Sequence, residues 1–597
     1  MIILGIHDGH DAHACIVRDG QLVALIGEER LSRLKSDGGY PRRAIDAVLQ
    51  MAKVTPAEVD VVAFTQRSDW IWRTLLNKYA TFKVADWVRE CDVYWRPLLL
   101  EKKKMSQIVL FDEFRDVPKD VESRPYYRMV DRIRDVPAER WSDIGDQVRR
   151  EVLQEHLGIS GDKMRIYRHE DCHKAYGFYS SPYPRDRTLV FTLEGGGQDS
   201  SATTSIFEPD GSFTELWKSN AVNAGRLYAY VTLILGMQPG QHEYKVMGLA
   251  PYGNEYHGRR SLEFFRKVNR VVGEEIVNDG LVPELYFFVR EALRAERFDG
   301  IAWGLQTWLE ELVTTWVGNT VRKHGIDNVV LSGGVGQNIK IVKALAEQPS
   351  IRQVWAPPIS GDGSLGVGAA WLASRDLDPG SDIQSLSSIY LGTSYGIGEI
   401  DHAISRASLA GKYHVQQNPT AAQVARWLVD GKIVARFSGR MEFGQRALGN
   451  RSILADPRHA ETIDHVNQKI KYRDFWMPFT PSMTQAQAEK MLVNPKGLYS
   501  PFMTMAFDLA EEFRGAIPAA THPADGTVRP QMLRRTDNPG YYAIMEEFGR
   551  LAGVECVMNT SFNLHGEAIV ESPDDAISTF LRSDLDVLLF DHVAILR

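Results

Sequence analysis

The chain has 597 residues, 44% of them apolar and 24% charged, with 77 acidic against 69 basic side chains and a formal net charge of −8. That is the composition of a soluble globular protein with more than one domain-sized unit, and the lack of any sustained basic stripe argues against a nucleic-acid partner. No apolar run reaches transmembrane length, the opening residues lack a basic leader, and Cys15, Cys91, Cys172 and Cys556 form no Cys-x-x-Cys pair; the expectation is a cytoplasmic protein with no membrane segment, zinc finger or disulfide framework.

In chain order, Ile2–Ile6 reads as a strand that ends in the turn His7-Asp8-Gly9-His10-Asp11, followed by a strand Ala14–Val17 and a turn at Asp19-Gly20. Two more strands end in glycines: Thr188–Leu193 before Gly195-Gly196-Gly197, and Asn328–Ser332 before Gly333-Gly334. Glycine turns at strand ends let a ligand approach the backbone closely. Three of them in this order resemble the phosphate and adenosine loops of the actin/Hsp70-like ATPase fold. Residues 68–155 differ, being charged, mostly helical in pattern and rich in tryptophan (Trp70, Trp72, Trp87, Trp95, Trp141). They read as an inserted helical subdomain whose tryptophans fill its own core, or as a cap over an acceptor cleft.

His169 and His173 stand at i and i+4, so on a helix both imidazoles share one face. Asp362, in the turn Ser360-Gly361-Asp362-Gly363, offers a carboxylate as a third ligand. Two histidines and one carboxylate with open positions suit iron(II), manganese or zinc. Cys172 falls on another face of the same helix.

The polar stretch Asp376–Asp382 marks a boundary, giving units of 1–380 and 381–597. Beyond it, Arg440, Arg446 and Arg451 alternate with Gly439, Gly444 and Gly449 just after the strand-like run Lys432–Arg436, and eight basic but four acidic residues lie between Arg436 and Arg473. Guanidinium forks grip phosphate in bidentate fashion, so this reversal of sign points to a small phosphorylated substrate.

Taken in order, His10-Asp11, His169-x-x-x-His173, Glu243-Tyr-Lys-Val-Met-Gly-Leu-Ala-Pro-Tyr-Gly253, Ser332-Gly-Gly-Val335 with Asn338, Gly361-Asp362, Gly439–Leu454, Asn467–Lys471, Arg529-Pro-Gln531, Asp537-Asn-Pro539 and Asn559-Thr-Ser-Phe-Asn563 resemble the nodulation-type O-carbamoyltransferases, a family that includes antibiotic-tailoring enzymes. The resemblance spans nearly the whole chain except the aromatic segment near 68–155. Gln445, Met477, His565 and Ala568 depart from its pattern.

The resemblance implies an α/β protein of two lobes. The N-terminal lobe (1–380) would be actin-like, a duplicated ribonuclease-H-like fold similar to the tRNA-threonylcarbamoyl transferases; the C-terminal lobe (381–597) would be a YrdC-like α/β domain. It implies that carbamoyl phosphate and ATP, with magnesium, give carbamoyl-adenylate in the C-terminal lobe. The N-terminal lobe would then pass the carbamoyl group to a hydroxyl of a small-molecule natural product. His169, His173 and Asp362 would hold one divalent metal, usually iron, on the adenylate phosphate. Gly195, Gly196, Gly197, Gly333, Gly334 and Asn338 would cradle the adenylate, with Glu243 and Lys245 orienting its ribose or phosphate. Arg440, Arg446, Arg451, Lys469, Lys471 and Arg529 would bind phosphate, and Asn559, Ser561 and Asn563 the carbamoyl end. His10 would be the general base, oriented by Asp8 or Asp11, because an imidazole can take the acceptor's proton at neutral pH. Neither a nucleic acid nor a membrane is expected as partner, a homodimer is allowed, and the acceptor itself is open. A threonylcarbamoyl-type tRNA-modifying enzyme and a hydrogenase-maturation carbamoyltransferase are the alternatives; the second family carries cysteine pairs that this sequence lacks.

Overall fold

The computed structural model describes residues 1–67, 74, 76, 83–114, 126–183, 185–278, 285–409 and 411–597. The chain forms two compact units. The first comprises Met1–Glu28 and Ser36–Leu386, the second Glu29–Lys35 and Ser387–Arg597. The main break lies at Leu386/Ser387, and a short piece from the start of the chain belongs to the second unit.

In the first unit, strands β1 (Ile2–His7), β2 (His13–Arg18), β3 (Gln21–Gly27), β4 (Val61–Thr65) and β5 (Met164–Tyr167) form a sheet in the order β3-β2-β1-β4-β5. The β1–β2 and β2–β3 pairs are antiparallel, while β1–β4 and β4–β5 are parallel. Next come β6 (Thr188–Leu193), β7 (Ala202–Phe207) and β8 (Phe213–Ser219), a small hairpin of β9 (Asn269–Val272) and β10 (Glu275–Asn278), then β11 (Asn328–Ser332) and β12 (Gln353–Trp355). Five of these, apart from the hairpin, build a second sheet, β8-β7-β6-β11-β12, with the same order and strand senses. One topology therefore occurs twice. Strands β1, β4, β6 and β11 are buried on both faces, hence their near-continuous Ile, Leu, Val and Phe.

The helix Leu365–Leu377 explains how distant residues meet. A side chain at Gly5 of β1 would collide with the Gly366 carbonyl, and one at Gly368 with the Cys172 carbonyl. Bare glycines let this helix lie directly on β1 and on the helix His169–Tyr179, and so bring the Asp362 turn to the two histidines.

Among the described residues of 68–155 the structure is helical, including Val84–Glu90, Ile108–Glu113, Tyr127–Ile133 and Trp141–Leu157. Trp141 is buried, and its indole N–H donates to the Val136 carbonyl at 2.9 Å. Trp87 and Trp95 correct the expectation of a self-contained core: they pack with Cys91 against Leu233, Tyr230, Ile234, Tyr286 and Phe287 from later in the chain. Trp70 and Trp72 lie outside the described residues. No helix among the described residues is long and apolar enough to cross a membrane.

The second unit holds strands β13 (His414–Gln417), β14 (Val434–Phe437), β15 (Arg451–Ala455), β16 (Thr480–Thr484), β17 (Phe507–Asp508), β18 (Thr527–Val528), β19 (Gln531–Leu533), β20 (Cys556–Ser561), β21 (Val587–Leu589) and β22 (Val593–Leu596). Eight of them form a mixed sheet, β13-β22-β21-β14-β15-β20-β16-β19, and β17 pairs with β18. The helices Ala421–Val429 and Pro539–Ala552 cover this sheet through Val424, Leu428, Tyr541, Ile544 and Phe548. The antiparallel pair β14–β15 is joined by a thirteen-residue loop, 438–450, which carries Arg440 and Arg446 and delivers Arg451 to the first position of β15.

Candidate functional site

The helix His169–Tyr179 presents His169 and His173 one turn apart, and both are buried. Their Nε2 atoms face each other at 3.2 Å. Asp362 Oδ1 lies 3.4 Å from His173 Nε2 and 3.7 Å from His169 Nε2. A fourth group, Glu194, places Oε1 2.9 Å from His173 Nε2. One ligand atom from each of the four residues lies within 4.8 Å of the others. His169 Nδ1 stands 3.2 Å from Gln66 Oε1. An amide oxygen only accepts, so His169 carries its proton on Nδ1 and turns the Nε2 lone pair to the cluster.

The electrostatics fit a cation. Burial alone would lower the His173 pKa, but Glu194 and Asp362 outweigh it and raise the value to about 10. Asp362 is held well below the usual carboxylate range, despite burial, by His10, His169 and His173. A buried and a mostly buried carboxylate thus demand positive charge at one place. Two imidazole nitrogens and two carboxylates meet that demand as ligands for iron, manganese or zinc. Alanine at His173, Glu194 or Asp362 should lower divalent metal per chain about tenfold or more, measured by elemental analysis after dialysis. Full metal content in all three variants would show that the cluster is not a metal site.

The loop after β1 is shaped by its own flanking histidines. His7 Nε2 donates to the His10 carbonyl at 3.1 Å, and its Nδ1 accepts from Thr65 Oγ1 at 2.7 Å. His13 Nδ1 donates to the Asp11 carbonyl at 3.0 Å, and its Nε2 accepts from the Gly366 N–H at 3.0 Å. Burial lowers the His13 pKa to about 4 and, with help from His13, takes His7 well below its usual value. Both are neutral braces. His10 between them is different: its side chain is 57% exposed, and Nδ1 lies 3.3 Å from Asp362 Oδ2. Asp11, in a left-handed conformation with φ 55°, puts Oδ2 3.9 Å from His10 Nε2.

Asp8 has another partner than the one expected. Its Oδ1 accepts from Arg149 NH2 at 2.7 Å, and its Oδ2 from Arg149 Nε at 2.8 Å and the Tyr126 hydroxyl at 2.9 Å. Both members of the Asp8–Arg149 pair are 0% exposed. A fully desolvated carboxylate needs such a guanidinium, so Asp8 anchors the loop to the helix Trp141–Leu157 and does not orient His10. Arg149→Met should cost about 3–5 kcal/mol of stability in a denaturant titration, because it strands a buried charge; a loss under 1 kcal/mol would contradict that.

The glycine turns converge on Glu194. Gly334 N–H donates to Glu194 Oε1 at 2.6 Å, and Gly333 has φ 88°. In the first turn, a side chain at Gly197 would collide with the Ser200 carbonyl, while Glu170 Oε1 accepts from the Asp199 and Ser200 N–H groups at 2.7 and 2.9 Å. Gly195 and Gly196 run beside Gly225 and Arg226. Glu243 opens the helix Glu243–Leu249 and accepts from Gly240 N–H at 2.6 Å; burial raises its pKa, and His10 is near enough to oppose that rise. Lys245, two residues on, leaves a different face of that helix. Asn338 is a helix cap: its Oδ1 accepts from Lys340 and Ile341 N–H, and its amide donates to Gln306 Oε1 at 2.8 Å.

The second unit gathers buried cations. Arg451 is 0% exposed and lies 3.6 Å above the Phe437 ring. Its NH1 donates to the Ser438 and Asn450 carbonyls at 2.8 and 3.0 Å, while Nε and NH2 are buried with no partner. Arg529 Nε is likewise unpartnered. Burial lowers the pKa of Arg451 to about 10; burial and then the neighbouring Arg446 and Arg473 take Arg529 well below its usual value. Lys471 Nζ donates to Ser561 O and Oγ at 2.5 and 3.2 Å and to Asn563 O and Oδ1 at 3.1 and 2.7 Å. Its pKa is well depressed by burial, Arg473 and Lys35. Cations crowded in this way are stabilised by an anion among them.

Three residues expected as anion or carbamoyl ligands also hydrogen-bond within the protein. Lys469 donates to Asp586 Oδ1 at 2.7 Å and the Asp584 carbonyl at 3.1 Å, because the π-helical turn Asn467–Lys471 sends it and Lys471 to different sides. Arg440 donates to the carbonyls of Leu391 and Gly392 at 2.6 and 3.1 Å. Asn559 sits inside β20, not after it; its amide N–H groups donate to Ala447 O and Ser482 Oγ, while its Oδ1 is buried with no partner.

Three functional residues escaped the sequence reading. Glu194 stands directly before the glycine run, where a strand-end carboxylate was the available signal. Arg473 closes the basic tract, and its NH2 donates to Thr560 Oγ1 at 2.9 Å. Glu442 accepts from the N–H groups of Leu448, Asn450 and Arg451 at 2.6, 3.2 and 3.1 Å and so shapes the arginine loop; no spacing rule announces that role.

Residues 2–371 match the family described as Carbamoyltransferase N-terminus, and residues 425–597 that described as Carbamoyltransferase C-terminus. Nodulation protein NolNO of Sinorhizobium fredii is 30% identical over 594 residues, covering 97% of this chain and 78% of that protein. Nodulation protein NolO of Bradyrhizobium diazoefficiens is 31% identical over 431 residues, 70% of this chain and 77% of that protein. Among solved structures, full-length HypF in its phosphate- and nucleotide-bound form is 12% identical, covers 64% of this chain and 56% of that chain, and has a TM-score of 0.34, a likeness too slight to carry an argument.

Proposed function

The chain belongs to the carbamoyltransferase family, and on that premise we propose that it makes carbamoyl-adenylate from carbamoyl phosphate and ATP and transfers the carbamoyl group to a hydroxyl of a small natural product. The observation that carries this reading is the double use of Asp362. Its Oδ2 faces His10 at 3.3 Å while its Oδ1 faces His173 and His169 at 3.4 and 3.7 Å. One carboxylate thereby joins a proton acceptor to a cation site. The recurrence of one sheet topology supports an actin-like, duplicated ribonuclease-H-like first unit, and the mixed sheet with its cation cluster supports a YrdC-like second unit.

The second unit performs the activation. Water takes the phosphoryl group of carbamoyl phosphate; the freed carbamate oxygen attacks the α-phosphorus of ATP, and pyrophosphate leaves. Arg451, Arg446, Arg473 and Arg529 neutralise the phosphates, with donors that need no reorganisation during reaction. Lys471, held by Ser561 and Asn563, adds a cation beside the carbamoyl end.

The first unit performs the transfer. A carbamoyl carbonyl is a poor electrophile because its nitrogen donates into it, and AMP as leaving group corrects that. The acceptor oxygen bonds to the carbamoyl carbon, the bond to the AMP oxygen breaks, and His10 Nε2 takes the acceptor's proton. His10 Nδ1–H directed at Asp362 Oδ2 fixes the tautomer this needs. His169, His173, Glu194 and Asp362 would hold a divalent metal, which supplies positive charge for the adenylate phosphate.

Carbamoyl-phosphate-dependent exchange of labelled pyrophosphate into ATP tests the activation step without knowledge of the acceptor. No exchange by the metal-loaded protein would overturn the proposal. Mass spectrometry for the gain of one carbamoyl unit, across a panel of hydroxylated metabolites, then identifies the acceptor class.

A further inference from the structure

The second unit includes seven residues from the start of the chain. Glu29–Lys35 leaves β3 and packs with residues beyond 386. Arg30 is 5% exposed; its NH2 donates to the Gly444 carbonyl at 2.5 Å, and its NH1 pairs with Glu29 Oε1 at 2.7 Å. Arg33 donates to the carbonyls of Ile569 and Ala568 at 2.6 and 2.8 Å, and its Nε faces Asp575 Oδ1 at 3.4 Å.

These carbonyls belong to the two backbone segments that frame the cation cluster. Gly444 lies in the loop 438–450, two residues before Arg446, with φ 111°. A carbonyl in an irregular loop has no ladder partner, so a buried guanidinium fixes it. Ala568 and Ile569 close the turn that begins at Ser561. Asn563 Nδ2 donates to the Glu567 carbonyl at 2.7 Å, and Val570 N–H to the Phe562 carbonyl at 3.0 Å. Arg30 and Arg33 thus hold the arginine loop from one side and the Ser561–Asn563 turn from the other, three residues apart on one short strap. Lys35, at the strap's end, is one of the two charges that depress the Lys471 pKa.

We infer that the strap Glu29–Lys35 is a working part of the phosphate site: Arg30 and Arg33 are positioning residues that set the arginine loop and the Ser561–Asn563 turn for activation. The inference rests on the proposed activation chemistry of the second unit. It makes that site discontinuous in sequence, with positioning groups drawn from residues 29–35 as well as from beyond 386.

The test uses the full chain with Arg30→Met and Arg30→Lys, and with Arg33→Met as a second variant should Arg30→Met fold poorly. Hydrogen–deuterium exchange of peptides covering 439–450 should quicken roughly tenfold or more in Arg30→Met, the equivalent of one charge-assisted hydrogen bond. The Arg33→Met variant should show the same over 562–570. In pyrophosphate exchange, KM for carbamoyl phosphate should rise about tenfold with a smaller change in kcat, and Arg30→Lys should recover part of the loss. Metal content should stay at the wild-type level. Unchanged exchange in both peptides would overturn the inference, whatever the activity. Loosened peptides with an unchanged KM would overturn the positioning role. A wild-type protein with no pyrophosphate exchange would instead sink the proposed activation, and the peptide result would still decide whether the strap holds the loops.

Discussion

In the His10→Asn variant, pyrophosphate release from ATP and carbamoyl phosphate should continue at the wild-type rate while carbamoylated product falls by about 10²–10⁴-fold, the contribution of a well-placed general base. Asparagine can keep a hydrogen bond to Asp362 but cannot take a proton. The loop should not collapse, because its shape comes from His7, His13 and the Asp8–Arg149 pair rather than from the half-exposed His10 side chain. Metal content should be normal, since His10 is not among the four converging ligands. Wild-type transfer by this variant would remove His10 as the base. Loss of pyrophosphate release along with transfer would instead break the division of labour between the two units.

Arg451→Ala should lower pyrophosphate release by at least about a hundredfold, because it removes a desolvated charge from the proposed phosphate site. Two of its three guanidinium nitrogens are buried without partners and so are available to an anion. The third braces the Ser438 and Asn450 carbonyls, so a fall in melting temperature is expected too. Arg451→Lys separates the two effects: it keeps the charge and loses the fork. Preformed carbamoyl-adenylate should restore transfer in both variants. Wild-type pyrophosphate release by Arg451→Ala would rule out the assignment.

Much of the first unit was legible because its signals are local. The strands at Ile2, Thr188 and Asn328 are short apolar runs closed by glycines, and the histidine pair is read directly from helical spacing. Asp362 was found because it too sits in a glycine turn before a helix. What failed was side-chain partnership across distance. Asp8 looked like a partner for His10 because it is two residues away, but the partner that decides its role is Arg149, on a helix 141 residues later. Lys469, Arg440 and Asn338 have the right chemistry for anions or amides, yet each donates to a carbonyl, carboxylate or amide oxygen of the protein. Residue type announces what a group can bind, and only packing says whether that capacity is already filled.

The strap also sets an order of events in synthesis. Arg33 precedes its partner Ile569 by 536 residues, and Arg30 precedes Gly444 by 414. At roughly 5–20 residues per second, the ribosome delivers Ile569 about half a minute to two minutes after Arg33. For the later part of that interval, once Tyr167 has been made, a short cationic stretch hangs from a hairpin whose own sheet can already close. The cation cluster of the second unit is then among the last parts of the molecule to mature, and its assembly depends on contacts of very high sequence separation, the slowest kind to form. Growing chains therefore pass through a stage in which the first unit can be built while the second unit's arginine loop and Ser561–Asn563 turn are still missing.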